Sequence, residues 1–168
     1  MATMTTIYVM YEPFSSRSNF IRRVSFSDED CGGMNVSEFQ ITERQEKIYF
    51  VCRVRSYIDG CPCCIAHDND ILSPNLEDPD SQGKPTFSNL TYAQLYMKEQ
   101  SDEYTKERKE RKEKREQQGI PVEHESLPEF FIQEWDLVGT DHGGNAQYEP
   151  INLIYLDGKV EQYESDNE

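Results

Sequence analysis

The sequence predicts an α+β fold: a small antiparallel sheet, one long helix that runs partly into solvent, and a C-terminal β-hairpin. Three observations carry this. Period-two alternation marks strands in the first sixty residues. A charged stretch of helical spacing follows a Pro- and Gly-rich segment. Near the end, Asp157-Gly158 stands between two β-prone runs. The 168 residues suit a single domain. It divides into a β-rich part over 1–88, a helix over 89–118 and an acidic part over 119–168. Apolar residues make up 36% of the chain, below the usual globular share, so part of it is expected to be solvated.

The elements follow in order. Residues 5–11, TTIYVMY, are β-branched and aromatic and read as a strand. Residues 17–26, RSNFIRRVSF, form a small basic and aromatic patch of Arg17, Phe20, Arg22, Arg23 and Phe26. With Arg53 and Arg55 it is a candidate to meet phosphate or, preferably, the acids of this chain or of a second copy in a homodimer. In 36–42, Phe39 and Ile41 alternate with Glu38, Gln40 and Thr42. The run 47–57 is the clearest strand. Ile48, Phe50, Cys52 and Val54 share one face, and Tyr49, Val51, Arg53, Arg55 and Tyr57 the other. Residues 43–46 are expected to form the turn between these two strands.

Residues 59–88 contain Gly60, Pro62, Pro74, Pro79, Gly83 and Pro85 and read as one long irregular loop. At Asn89 the period changes. Leu90, Ala93, Tyr96 and Met97 recur at helical spacing, with Ser88 or Asn89 as the cap. From Lys98 to Gln118 nearly every residue is charged, with Glu107–Arg111 and Glu110–Lys114 at i,i+4, and Gly119-Ile120-Pro121 ends the helix. With no apolar stripe, those last turns are expected to project into solvent. Residues 129–138, EFFIQEWDLV, are apolar enough for the core as helix or strand. Residues 151–163 predict a hairpin with a two-residue turn at Asp157-Gly158.

Charge excludes some functions. Seventeen Lys and Arg oppose thirty-two Asp and Glu, a net charge of −15, and residues 119–168 hold twelve of the acids against the single base Lys159. Nucleic-acid affinity comes largely from basic side chains that displace counterions, so direct binding of nucleic acid is disfavoured. An anionic membrane surface is disfavoured for the same reason. No run approaches the eighteen apolar residues of a membrane span.

A basic partner fits this charge. The expected function is therefore a non-enzymatic acidic binding protein that inhibits a partner by filling its nucleic-acid-binding surface, carboxylates standing where phosphates would. The candidate residues are Glu123, Glu125, Glu129, Glu134, Asp136, Asp141, Glu149, Asp157, Glu161 and Glu164. Small acidic proteins that viruses and phages make to block host DNA-handling proteins resemble this profile in charge and size, which assigns no residue.

The second expectation concerns the thiols. Cys31, Cys52, Cys61, Cys63 and Cys64 are odd in number and follow no export signal, which predicts reduced cysteines in an intracellular setting, cytoplasmic or nuclear. Cys61 and Cys64 have C-x-x-C spacing. Cys63 or His67 offers a third ligand, and Cys52 or His142 a fourth, for a structural zinc ion in an adaptor module. The second C-x-x-C pair of a full zinc motif is missing, and loop thiols without a metal remain the simpler reading. Asp141-His142-Gly143-Gly144 is the best place for acid–base chemistry, but no nucleophile elbow, dinucleotide fingerprint or P-loop accompanies it. The sequence gives no positive argument for an enzyme.

Overall fold

The computed structural model describes residues 4–14, 20–26, 34–42, 45–58, 65–73, 84–119, 128–140 and 146–163. The strands are β1 (Met4–Tyr11), β2 (Ile21–Ser25), β3 (Asn35–Thr42), β4 (Lys47–Ile58), β5 (Ile65–Leu72), β6 (Lys84–Pro85), β7 (Glu129–Thr140), β8 (Ala146–Tyr155) and β9 (Val160–Gln162). The helix α1 spans Leu90–Gln117, between β6 and β7. The α+β class with one long helix and a terminal hairpin holds.

The strands divide between two sheets, where the alternation alone suggested one. One sheet has the order β2-β1-β3-β6, its first three strands antiparallel and the two-residue β6 parallel to β3. The other has the order β5-β4-β7-β8-β9 and is antiparallel throughout. β3 and β4, adjacent in the chain, lie in different sheets. Gln45 organises the crossing: its carboxamide oxygen accepts from the Thr42 amide at 3.1 Å, and its Nε2 donates to the Lys47 carbonyl at 2.8 Å. A buried glutamine thus satisfies a backbone corner that water cannot reach.

Two apolar layers result, and β4 separates them. Ile48, Phe50, Cys52 and Val54 face the first sheet and meet Ile7, Val9, Phe39 and Ile41. Edge-to-face ring pairs cross this interface, Phe39–Phe50 at 5.6 Å and Phe20–Phe131 at 6.1 Å. Tyr49 and Val51 face the other way and join Phe130, Ile132 and Ile154 beneath Ala93 and Met97 of α1. The molecule is therefore layered sheet, sheet, helix. β7 is covered on both sides, which explains the nearly unbroken apolar run FFI of its sequence.

α1 starts at Asn89, whose Oδ1 accepts from the Tyr92 amide at 3.2 Å. It ends at Gly119, which takes φ +71° and donates to the Glu116 carbonyl at 3.2 Å. Twenty-eight residues give a rod of about 42 Å at 1.5 Å per residue. Ala93 and Met97 are its buried residues, with Leu90, Tyr96 and Tyr104 packed at the margin. The turns beyond Tyr104 run on past the apolar layer.

Three expectations are corrected. The irregular stretch 59–88 contains the strand β5, with Ile58 paired to Ile65 and Val51 to Leu72. Phe20 of the basic patch is fully buried and belongs to the core, while Ile21–Ser25 form β2 at a sheet edge. The C-terminal hairpin turns through three residues instead of two. The Tyr155 carbonyl accepts from the Gly158 amide at 2.9 Å, and the Tyr155 amide donates to the Lys159 carbonyl at 2.8 Å. Gly158, at φ +91°, sits at the bulge position of such a loop.

Candidate functional site

The helix-side face of the second sheet is apolar under α1 and polar beyond it. Its rows follow from strand register. Val51, Ile132 and Ile154 pair across β4, β7 and β8. One row on come Tyr49, Glu134 and Asn152, and then Lys47, Asp136 and Glu149. A bulge in β8 sets the last row. Ile151 has no partner in β7, and its carbonyl instead accepts from Tyr163 at 2.9 Å.

Lys47 joins the two rows. Its Nζ lies 2.9 Å from Glu134 Oε2 and 3.0 Å from Asp136 Oδ1. Glu134 is almost wholly buried. Its second oxygen accepts from Asn152 Nδ2 at 2.9 Å, and the Tyr49 hydroxyl stands 3.5 Å from the first. Burial on its own would raise the Glu134 carboxyl, but hydrogen bonds from Lys47 and Asn152 outweigh it and hold the group below the ordinary glutamate value. Hydrogen bonds to Glu134 and then to Asp136 raise the Lys47 ammonium above the usual lysine range. Burial, and then the charge of Glu134, raises the Tyr49 phenol and keeps it protonated.

Glu149 is exposed and stands directly across from Asp136. Like charges in opposed cross-strand positions are unfavourable. Glu134 and Asp136 share the Lys47 ammonium, and Glu149, exposed beside Asp136, adds a negative charge for which no ion pair is seen among the described residues. This arrangement can present fixed oxygens to a cation or a basic side chain.

The other acids predicted to bind are more scattered. Glu129 is exposed at the start of β7. Asp157 caps the hairpin turn by accepting from the Lys159 amide at 2.9 Å. Glu161 on β9 accepts from the Tyr155 hydroxyl at 2.9 Å, a bond that, with Lys159, holds its carboxyl below the usual value. Glu123, Glu125, Asp141 and Glu164 lie outside the described residues. Of the ten, register thus brings together Glu134, Asp136 and Glu149. Lys47, Tyr49 and Asn152, which complete the network, escaped the sequence reading. Two acids inside an apolar strand were the available signal, since buried charge demands partners.

Arg53 and Arg55, suggested for phosphate, are engaged by β5. Arg53 lies 2.9 Å from Asp70, and Arg55 lies 3.4 Å from Asp70 and 3.7 Å from Asp68. Among the candidate metal ligands, Cys61, Cys63, Cys64 and His142 lie outside the described residues. His67 lies in β5, its Nδ1 2.8 Å from Ser56 Oγ. Cys52 is fully buried between the sheets, and burial pushes its thiol well up. Among the described residues, no group of three His, Cys, Asp or Glu side chains is placed to share a metal ion, and no helix is long and apolar enough to cross a membrane. Comparison with protein families, with curated proteins and with solved structures finds no match.

Proposed function

We propose that this chain is a non-enzymatic acidic binding protein that seats its negative face in a basic, nucleic-acid-binding surface of a partner protein and so excludes the nucleic acid. The observation that carries the reading is the opposed pair Asp136 and Glu149, two carboxylates held in register on the sheet face, Asp136 partly exposed and paired with Lys47 and Glu149 exposed. The net charge of −15 supports it, because a partner of opposite sign is drawn in over longer range than the contact itself. Glu134, buried and paired with Lys47 and Asn152, is not itself presented.

The test is displacement. A DNA-binding protein captured on the immobilised chain is eluted and loaded with labelled duplex, and the free chain is titrated in. Release of the duplex is expected, with affinity falling steeply between about 50 and 500 mM salt. A Glu149→Lys variant should need at least about tenfold more protein, since the reversal places like charge against the partner. Simultaneous binding of duplex and chain, or affinity indifferent to salt, overturns the reading.

A second reading rests on the β4–β5 register. Ile58 pairs with Ile65, so the six-residue connection between them carries Cys61, Cys63 and Cys64, and His67 follows with Nδ1 engaged by Ser56. Such a group suits a structural zinc ion in an interaction module. Stoichiometric zinc in purified protein, with a lower melting temperature in chelator, is the expected result; metal-free protein with unchanged melting removes this reading.

A further inference from the structure

The charge of α1 reverses along its length. Between Lys106 and Arg115 seven bases accompany three acids, a local charge of +4 in a chain of −15, which leaves −19 on everything else. This stretch begins where packing ends. Leu90, Ala93, Met97 and Tyr104 form the stripe that α1 lays toward the sheet, and the same 3.6-residue spacing continues into Arg108, Arg111 and Arg115. Arg111 is exposed and lies over the Tyr104 ring at 5.7 Å, at the boundary between the two stretches. Along this stripe Arg111 and Arg115 are i,i+4 neighbours of like sign, as are Arg108 and Lys112 beside it. Such pairs weaken a helix, whereas Glu107–Arg111 and Glu110–Lys114 stand at the favourable i,i+4 spacing.

From Tyr104 to Gln117 the helix extends about 20 Å, more than twice the Debye length of about 8 Å at physiological salt. The end of the arm is therefore screened from the negative body. Whatever approaches it meets positive charge.

We infer that the basic arm of α1 docks on the acid-rich sheet face of a second copy of this chain. The complementarity is internal to the sequence: +4 on the arm, and on the body the exposed carboxylate of Glu149 beside Asp136, which is partly exposed and shared with Lys47. Mutual exchange of arms closes a two-fold dimer in which both copies use the same two surfaces. Polyphosphate is the weaker candidate, since the body of the same chain carries −19 and repels it. The arm and the basic partner proposed above would compete for the same Asp136 and Glu149 face, and the test separates the two because it contains this chain alone.

The experiment is sedimentation equilibrium of the full chain at about 100 µM. Dimer is expected at about 50 mM salt and monomer at about 500 mM. An Arg111→Glu, Lys112→Glu, Arg115→Glu variant whose circular dichroism matches wild type should be monomeric at low salt, and so should Glu149→Lys. Mixing these two variants should restore a dimer, because each reversed surface then meets an opposite one. A monomeric wild type at low salt, or an arm variant that still dimerises, overturns the inference. Retardation of duplex DNA by wild type but not by the arm variant, without self-association, assigns the arm to nucleic acid instead.

Discussion

Tyr148 in β8 donates its hydroxyl to the carbonyl of Gln45, the residue at which the chain passes from the first sheet to the second. The bond ties the corner between the sheets to a strand three places along the second sheet. Tyr148→Phe leaves a buried carbonyl without its donor, which costs about 1–3 kcal/mol. Urea denaturation should show a lower midpoint with an unchanged slope. Burial also pushes the Tyr148 phenol up to about 12. The folded state thus holds this proton more tightly than the unfolded chain, where tyrosine titrates near 10. The contribution is complete below pH about 10 and is lost as pH rises through about 12. Wild type should therefore lose stability over that window more steeply than Tyr148→Phe.

Glu134→Gln tests the Lys47 network. The substitution removes the charge that pairs with Lys47 and spoils the Asn152 bond, a cost of about 2 kcal/mol at pH 7. The carboxyl lies below its ordinary 4.5 in the folded protein, so its stabilisation is present above that value and is lost as pH falls through the folded one. Chemical denaturation at pH 7 and pH 3 should show the gap between variant and wild type narrowing in acid.

Met97→Ala opens a void between α1 and the sheet at Val51 and Ile132, and costs about 2–5 kcal/mol. Lys109→Ala, on the exposed part of the same helix, should stay within about 0.5 kcal/mol. Thermal melts of the two variants separate the half of the helix that builds the fold from the half that does not.

Gly158→Ala forces a Cβ into φ +91° although no neighbouring atom obstructs it. The penalty is purely conformational, about 1 kcal/mol or more. Faster amide exchange at Tyr155 and Gly158 should accompany it, while amides of β4 stay protected.

Cys52 should resist thiol reagents in the native state. With Cys31, Cys61, Cys63 and Cys64 replaced by Ser, the remaining thiol is expected to react only in denaturant, at a rate set by global unfolding. Rapid modification of the native variant would show that the two sheets separate locally.

Much of this was legible in the residues. The opposite destinations of Ile48, Phe50 and Cys52 and of Tyr49 and Val51 follow from period-two alternation, and the cap at Asn89 and the stop at Gly119 follow from helix-end chemistry. β5 was hidden because HDND has little intrinsic strand preference. It forms because Asp68 and Asp70 find Arg55 and Arg53 across the ladder, and Asn69 donates to the Glu12 carbonyl at 2.8 Å. The division into two sheets was equally hidden, since β3 and β4 each alternate correctly whether or not they pair with one another. The acids of β7 announced their charge but not their fate. Which of Glu134, Asp136 and Glu149 is buried depends on the register of β8 and its bulge, a property of three strands together.

β4 finds its partner β7 only after the whole of α1 has intervened in the chain. On the ribosome, the aromatic and aliphatic side chains of β4 emerge long before Phe130 and Ile132 exist to cover them. The nascent protein must carry an adhesive half-sheet through most of its synthesis, and refolding of the finished chain should fall in the slow, milliseconds-to-seconds class that distant strand pairing imposes.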